Sequence, residues 1–415
     1  MPKSAKLFLL ATSVVLVLGI FLGVNAHGVS AAAGGPQEGA YRQINVYTEV
    51  LQHIQSDYVE DPNINSVTNG ALRGLLESLD ADSSYLTADE YKIFKSFKAA
   101  KGQVGINVSK RYGYATVVSV VPGSPADKAT LNDGDIIEAI GNKDTRDLSL
   151  AMIQMMLQGA PGSELQIAVI RPRKAEPEKI TLNRVVISEP PVAETQYENS
   201  SILYLKPEIL DHDHVQALES KLKGMNKAGN KKVLLDLRDV AAGDMPEAVR
   251  TANFFLSSGT IATLSGQKFP EQTFTADPSK TINASAPVIV LVNRGTSGPA
   301  ELVAAAIADN KRGELVGEKT FGEGTQQKTF ELADGGAVIL SVAKYASPSG
   351  KKFEDDAVTP ATVVASNLDN LDSGDGDDTA TPGPTGKPAP LPKKPVVIPD
   401  DQLSKALEIL KAKAA

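Results

Sequence analysis

The stretch Val288–Gly350, VIVLVNRGTSGPAELVAAAIADNKRGELVGEKTFGEGTQQKTFELADGGAVILSVAKYASPSG, decides the fold of this chain. It begins with a short apolar run, Val288–Val292, and continues through a loop into a helical stretch over Glu301–Asn310. Similar apolar runs at Ile202–Leu205 and Lys232–Leu237 also precede helical stretches. Short apolar runs that alternate with helices are typical of buried parallel strands. The sequence therefore predicts an α/β domain with a parallel sheet.

The loop between this strand and this helix resembles the catalytic loop of the carboxyl-terminal processing (tail-specific) peptidase family. In that family a serine stands three residues before a glutamate, and a Phe-Gly-Lys-Gly motif supplies a lysine 25 positions downstream of the serine. Counting back three from Glu301 gives Gly298, and 298 plus 25 gives Glu323. Gln327 stands where the family keeps a glutamine that helps to orient the lysine. The resemblance implies an α/β fold with a crotonase-like peptidase core, an inserted PDZ domain and a helical N-terminal region.

The residues at positions 298 and 323 lack the chemistry that the family uses. A serine hydroxyl attacks a peptide only when a neighbouring base takes its proton, and a buried lysine with a lowered pKa is such a base. Gly298 has no side chain, and Glu323 has no hydroxyl at position 298 to activate. We therefore expect a homologue of serine endopeptidases that binds protein C-termini and is catalytically inactive.

A glycine-containing turn, Leu237–Gly243, resembles the Leu-Arg-Asn-x-Pro-Gly-Gly turn that helps family members to bind the oxyanion. Backbone N–H groups must point at the developing charge there, and glycine permits close approach and positive φ. Ala242 replaces the first of the two glycines, while Gly243 keeps the second. The resemblance implies a weakened oxyanion turn at Gly243.

Ser297 leaves an alternative open, which is an active endopeptidase with a rearranged active site. It lies one residue before the family position, and Lys319 lies on the same downstream segment. A shift of one residue in a tight loop redirects the side chain, and catalysis tolerates only small misplacements. Pro299 favours a simpler interpretation, in which Ser297 or Gly298 caps a helix that starts with proline.

Residues 97–184 resemble a PDZ domain, a fold that binds an extended peptide as an added strand at a sheet edge. Three motifs carry the resemblance, and they follow one another in the expected order. They are QVGINV at 103–108, VPGSPA at 121–126 and LNDGDII at 131–137.

The resemblance to a PDZ domain also implies which residues bind the peptide. Backbone N–H groups around Gly105 would capture a C-terminal carboxylate, and Ile106 and Val108 would lie on the edge strand. The helix Ser149–Gln158 would form the other wall of the groove, with Ile153 or its neighbours facing the ligand. The expected partners are C-terminal segments of exported proteins. Two alternatives remain, a PDZ-like module that only packs against the core and a purely structural envelope protein with an unused groove.

Composition excludes several other functions. The net charge of −8 and the isoelectric point near 5.3 argue against nucleic acid as a partner, because phosphate binding needs clustered Lys and Arg. The chain has no cysteine, which excludes disulfides, thiolate catalysis and cysteine-based zinc sites. We expect no cofactor.

Two acidic stretches resemble metal sites only superficially. Asp211–His214 reads Asp-His-Asp-His, but its histidines point to different sides of a helix, and aspartates at a helix start complement its dipole. The stretch Asp372–Asp378 lacks the alternating ligands and the twelfth-position glutamate of a calcium-binding loop. The sequence therefore predicts no metal site.

The N-terminus predicts export. Lys3 and Lys6 precede an apolar run, Leu7–Val24, which is just long enough to span a bilayer. The small residues around Val24–Ala26 keep a cleaved signal peptide open as an alternative. Positive charges before the run leave the rest of the chain outside the cytoplasm, anchored by the N-terminal segment or secreted if that segment is cleaved.

Changes in composition and periodicity divide the chain into segments. Apolar residues at spacings of three and four predict helices over Tyr41–Val59 and Val67–Leu79, and Asp400 is the expected cap of a final helix. The predicted segments are a signal anchor or signal peptide at 1–26, a linker at 27–40, an N-terminal helical region at 41–96, a PDZ domain at 97–184, the α/β core at 185–366, a disordered acidic and Pro-rich linker at 367–399 and a C-terminal helix at 400–415.

Overall fold

The computed structural model of the chain describes residues 36–111, 113–171, 176–366 and 399–414. The chain divides into two compact units between Gly70 and Ala71. The apolar run Leu7–Val24 and the acidic stretch Asp372–Asp378 lie outside the described residues. Within the described ranges, no helix is both long enough and apolar enough to cross a bilayer.

The N-terminal region contains the two expected helices, α1 (Pro36–Asp57) and α2 (Ile64–Glu77), and each begins a few residues before its predicted start. The chain then forms a short strand, β1 (Ser84–Leu86), and a helix, α3 (Ala88–Ser96). Thr87 and Glu90 form a reciprocal capping box that begins α3, which satisfies N–H groups that the helix itself leaves unbonded.

The PDZ region is an antiparallel sheet with one helix packed against it. The sheet order is β3-β4-β5-β7-β8, with β6 paired to β5, so β3 is an edge strand. Ser149 caps the helix α5 by accepting a hydrogen bond from the N–H of Met152. The elements are β2 (Gly102–Gln103), β3 (Ile106–Arg111), β4 (Tyr114–Val120), α4 (Pro125–Lys128), β5 (Ile136–Ile140), β6 (Lys143–Asp144), α5 (Leu150–Leu157), β7 (Glu164–Ile170), β8 (Glu178–Asn183) and β9 (Val185–Val186), which pairs with β2.

The core contains a six-stranded sheet in the order β10-β11-β12-β15-β16-β19, and all its pairs are parallel except β10 with β11. Alternate residues of its central strands are buried on opposite faces, which explains why these strands are continuously apolar. The parallel α/β core predicted from the sequence is therefore confirmed. The strands are β10 (Ala193–Tyr197), β11 (Ile202–Lys206), β12 (Lys232–Asp236), β15 (Val288–Val292), β16 (Glu314–Gly317) and β19 (Thr362–Val363).

Helices and a second sheet complete the core. The helices are α6 (His212–Gly224), α7 (Met245–Asn253), α8 (Pro299–Asp309) and α9 (Phe353–Asp356). The second sheet comprises β13 (Thr260–Ser265), β14 (Gln272–Thr275), β17 (Thr325–Glu331) and β18 (Ala337–Ala346), together with β1. Because β1 pairs with β18, the loop before β1 lies close to the start of β17.

The final helix, α10 (Asp401–Ala412), covers the face of the parallel sheet opposite to α6–α8. Asp400 accepts a hydrogen bond from the N–H of Leu403, which confirms it as the cap of this helix. At the other end, the ammonium of Lys232 donates to the carbonyl oxygens of Leu410 and Lys413 at 2.7 and 2.6 Å. A cation at a helix C-terminus satisfies unbonded carbonyls and complements the dipole, so this contact fixes α10 on the sheet.

Candidate functional site

The turn between β15 and α8 carries Gly298, the position that the sequence resemblance assigns to a nucleophile. Several hydrogen bonds join it to the Leu237–Gly243 turn. Among them, the Thr296 hydroxyl donates to the carbonyl of Leu237 at 2.8 Å, and the Ser297 N–H donates to that of Val240 at 3.0 Å. Gly298 follows with φ 52° and ψ −109°, and Pro299 is the first residue of α8. This backbone conformation is strained for any residue with a side chain, and such strain is common where a strand turns sharply into a helix to present a nucleophile.

Gly298 leaves open space where a side chain would project. A Cβ built on it would meet only the Cε of Met245, at 4.0 Å. Gly298 also lines a cavity of about 490 Å³. Gly298 therefore combines a sharp backbone turn with open space beside the cavity and offers no side chain to it.

Glu301 joins the start of α8 to the loop that carries Glu323. Its buried carboxylate accepts hydrogen bonds from the N–H groups of Gly298, Gly322 and Glu323 at 3.0, 2.9 and 2.8 Å, and from the hydroxyl of Thr320. The four donors belong to two segments of the chain, and because all of them bind this one side chain, the two segments are held together. This contact positions Glu323 beside the turn that contains Ser297.

Glu323, at the position that the sequence resemblance assigns to a lysine, pairs with Ser297. The Ser297 hydroxyl donates to the Oε2 of Glu323 at 2.6 Å, while the Oε1 of Glu323 has no hydrogen-bond partner among the described residues. Burial, and then the nearby carboxylate of Asp82, raise the pKa of Glu323 to about 7. A carboxyl group thus stands at the position that the sequence resemblance assigns to an amine.

Ser297 itself is fully buried and does not line the cavity. Lys319, its suggested partner on the downstream segment, is exposed. The hydroxyl of Ser297 therefore contacts the carboxylate of Glu323 and does not face the cavity. Gly298, not Ser297, is the cap residue of α8.

The oxyanion turn keeps some of its donors. Gly243 has φ 138°, and a Cβ there would lie 2.5 Å from the carbonyl oxygen of Leu210, so only glycine fits. The N–H groups of Ala242 and Gly243 have no partner among the described residues, and both residues line the cavity. These two groups remain available to a ligand.

The start of α8 contributes no such donor. Pro299 has no N–H, and the N–H of Ala300 donates to the carbonyl of Ser297 at 3.1 Å. In many hydrolases the residue after the nucleophile supplies an oxyanion N–H. In the sequence, Pro299 is interpreted only as the first residue of a helix. The residue type alone already shows that position 299 has no N–H to donate.

Two further carboxylates lie near Glu323, and the sequence did not single them out. Asp82 accepts a hydrogen bond from the hydroxyl of Thr325 at 2.5 Å, and burial raises the pKa of Asp82. Burial and the proximity of Asp82 raise the pKa of Glu354 to about 7. Gln327 donates to the hydroxyl of Thr325 and makes no hydrogen bond to Glu323.

The peptide groove implied by the PDZ resemblance lies between β3 and α5. Gly105, with φ 86°, lines it together with Ile106 and Val108, and a Cβ at Gly105 would lie 2.2 Å from the Cβ of Ser124. The N–H groups of Val104 and Gly105 have no partner among the described residues. Unbonded N–H groups in a glycine turn are suited to capture of a carboxylate.

Helix α5 presents neighbours of Ile153 to this groove, and not Ile153 itself. Ile153 is fully buried in the core of the PDZ region and lines neither the groove nor the cavity. Its neighbours Gln154, Leu157 and Gln158 line the groove. The groove and the cavity share four lining residues, Asn107, Gln154, Ala241 and Glu323, so they are continuous.

The Asp-His-Asp-His stretch forms a helix start with paired side chains. Asp211 caps α6 and accepts hydrogen bonds from the N–H and the ring of His214, and the ring of His212 contacts Glu247 at 3.0 Å. Within the described part of the chain, no group of three or more potential ligands is placed to hold a metal ion.

Comparison with known proteins identifies both parts of the chain. Residues 201–364 match the model of peptidase family S41, and residues 116–171 match that of the PDZ domain. Two relatives are the carboxyl-terminal-processing peptidase 2 of Arabidopsis thaliana chloroplasts, 31% identical over 320 residues, and the carboxy-terminal processing protease CtpA of Bacillus subtilis, 26% identical over 393 residues. The matches cover 72% and 93% of this chain, respectively. The chain spans 61% of the Arabidopsis relative and 83% of the Bacillus one.

A solved structure shares the fold. It is a photosystem II D1 C-terminal processing protease, which matches with a TM-score of 0.64 at 24% sequence identity. The match covers 77% of this chain and 86% of that one.

Proposed function

We propose that the chain, a homologue of the carboxyl-terminal processing proteases with a peptidase family S41 domain and a PDZ domain, binds protein C-termini without cleaving them. One observation carries the proposal: Gly298 keeps the conformation and the space of a nucleophile position but has no side chain. The base is missing as well, since Glu323 replaces it. The ligands that we propose are C-terminal segments of exported proteins.

The groove beside β3 supports the binding half of the proposal. An extended peptide can pair with β3 because this strand is at a sheet edge. Its terminal carboxylate can accept hydrogen bonds from the unbonded N–H groups of Val104 and Gly105. Both features are required for recognition of a free C-terminus, and they occur at the same end of the groove.

We expect the full chain to bind a ten-residue peptide with an apolar, free C-terminus roughly tenfold more tightly than the same peptide with an amidated end, because amidation removes the charge that the N–H groups recognise. Fluorescence anisotropy measures both affinities. Gly105→Ala should abolish the difference, since its Cβ has no room. The matched control is Gly350→Ala, at the same φ of 86° but with open space around it, and it should leave binding unchanged. Equal affinity for both peptides would contradict the proposal.

A peptidase that uses Ser297 is the second candidate, because its hydroxyl lies 2.6 Å from a carboxylate that could accept its proton. The burial of Ser297 argues against it, since a nucleophile must reach the substrate.

We therefore expect no covalent labelling of Ser297 by a fluorophosphonate during incubation with an unfolded protein. Ser297→Ala should instead lower the free energy of unfolding by about 1–3 kcal/mol, because Glu323 loses its hydrogen-bond donor. The exposed Ser220→Ala serves as the control and should be nearly neutral. Mass spectrometry and thermal melting check the two outcomes, and a labelled Ser297 with peptide cleavage would favour the second candidate.

The location that we propose for this binding is outside the cytoplasm. The support is the lysine-flanked apolar run Leu7–Val24, which is long enough to anchor the chain in a membrane. Fractionation of cells that express the full chain tests this, because a soluble cytoplasmic fraction would contradict it.

A further inference from the structure

The cavity beside Gly298 combines apolar walls with carboxylates that have no cationic partner. Phe94, Leu150, Met245 and Ile339 contribute the large apolar side chains of its lining. Asp82 and Glu323 are the charged residues that line it, and Lys and Arg are missing from its described lining. An apolar cavity with negative charge at one place fits a ligand with an apolar stem and a positively charged end.

The hydrogen bonds of these two carboxylates leave them incompletely satisfied. Asp82 accepts from the hydroxyl of Thr325, and Glu323 accepts from that of Ser297. The Oε1 of Glu323 has no partner within the described residues, and burial raises the pKa of this carboxyl group. A partly buried carboxylate without a cation is costly, and a cationic ligand would lower that cost.

Lys110 and Arg111 line a neighbouring cavity together with Asp82 and Glu323, but both are engaged elsewhere. Lys110 donates to Glu77 and to the carbonyl of Leu148. Arg111 donates to the carbonyl of Phe321 at 2.8 Å and lies over its ring. Neither forms an ion pair with Asp82 or Glu323. A positive charge beside these two carboxylates would therefore have to come from a ligand.

The cavity and the peptide groove lie against different parts of α5, so the length of this helix gives the distance between them. Leu157 and Gln158 line the groove, Leu150 lines the cavity, and Gln154 lines both. The helix rises about 12 Å between residues 150 and 158, which corresponds to about four residues of an extended peptide. A peptide whose carboxylate lies at Gly105 would therefore place a side chain in the cavity about four residues upstream.

We propose that the cavity binds a lysine or arginine side chain of the captured C-terminal segment, about four residues before its end. Glu323 and Asp82 pair with the positive charge, and Phe94, Leu150 and Met245 contact the stem. The replacement of the family lysine by Glu323 thereby changes a catalytic position into a specificity determinant for a basic residue. This inference rests on the proposed binding of C-termini through the PDZ groove.

Peptide binding to the full chain tests the inference. The ligands are ten-residue peptides with a free apolar C-terminus. Each peptide contains a single lysine, norleucine or glutamate, and separate peptides place that residue at each successive position from the C-terminus. At pH 8, which is above the pKa of about 7 of Glu323, that carboxyl group is ionised, and norleucine has the four-carbon stem of lysine without its ammonium group. We expect lysine to bind about tenfold more tightly than norleucine three to five residues from the end, and no preference farther upstream. Glutamate at the same positions should bind more weakly than norleucine.

Variants separate this inference from the proposed function. Glu323→Gln and Asp82→Asn should each reduce the preference for lysine, while the exposed Glu271→Gln should keep it, with folding checked by thermal melting. Peptides that bind through their free carboxylate but show no lysine preference would overturn the inference alone. If no peptide binds, or if the free and the amidated peptides bind with equal affinity, the proposed function and the inference are both overturned. A lysine preference that survives both cavity variants would also overturn the inference.

Discussion

The triple variant Gly298→Ser, Pro299→Ala, Glu323→Lys is expected to cleave unfolded proteins, whereas the unmodified chain is not. The backbone at position 298 has the sharp turn of a nucleophile, and a new side chain there meets only the Cε of Met245 at 4.0 Å. Lysine at position 323 would replace a carboxylate with the amine that a serine–lysine pair requires. Alanine at position 299 restores an N–H at the start of α8. The three changes supply the nucleophile, the base and an oxyanion donor.

Each change has a separate expected effect. The double variant that keeps Pro299 should be about 100-fold slower than the triple variant, because loss of one oxyanion donor typically costs about that factor. Asp82 stabilises a positive charge at position 323, so cleavage should increase as the pH rises and the new amine loses its proton. The strained φ of 52° should lower stability by roughly 1–3 kcal/mol once glycine is replaced.

Release of fluorescent fragments from a labelled unfolded protein measures the gain of cleavage. The control variant Pro299→Ala, Glu323→Lys lacks the new hydroxyl and should stay inactive. A folded triple variant without cleavage or fluorophosphonate labelling would show that these three changes are not sufficient for cleavage. Cleavage by the unmodified chain at a similar rate would contradict the proposed function directly.

Much of this site follows from spacing in the sequence. The distances from Glu301 back to Gly298 and forward to Glu323 predict two positions that the structure places beside the same cavity. The apolar runs predict the parallel strands because β12 and β15 are buried on both faces and need no polar alternation. Local patterns and a family resemblance are sufficient for these features because each depends on a short segment.

The carboxylates around Glu323 could not be predicted in the same way. Asp82 reaches the site because β1 pairs with β18, which brings together segments about 250 residues apart. Glu354 lies just after the start of α9, and its proximity to Asp82 is visible only in three dimensions. Pairing of distant strands follows from the packing of the whole core, which no local sequence pattern records.

Which side of α5 faces the peptide groove was equally hard to predict. The helix is apolar over most of its surface, so periodicity alone does not separate the core side from the groove side. Ile153 packs into the core, and the polar Gln154 next to it lines the groove. In a helix that contacts protein on several sides, the ligand can lie against the more polar side.

Glu301→Ala is expected to cause the largest loss of stability among single changes at this site. The substitution leaves the N–H groups of Gly298, Gly322 and Glu323 and the hydroxyl of Thr320 without their acceptor, in a region from which water is excluded. Each unsatisfied buried donor costs about 1–3 kcal/mol, and partial relaxation limits the total to roughly 3–5 kcal/mol. Thermal and urea unfolding measure this change.

The comparison of Glu301→Gln with Glu301→Ala shows whether hydrogen bonding is the cause. Glutamine keeps one acceptor oxygen but directs an NH2 group at the remaining donors, so its stability should lie between those of alanine and the unmodified chain. The exposed Glu408→Ala, which removes only a surface ion pair with Lys405, should change the free energy of unfolding by less than about 1 kcal/mol. Equal stability of Glu301→Ala and Glu408→Ala would mean that Glu301 does not hold the two segments together. The position of Glu323 in the cavity would then need another explanation, because Glu301 is the contact that joins its loop to the start of α8.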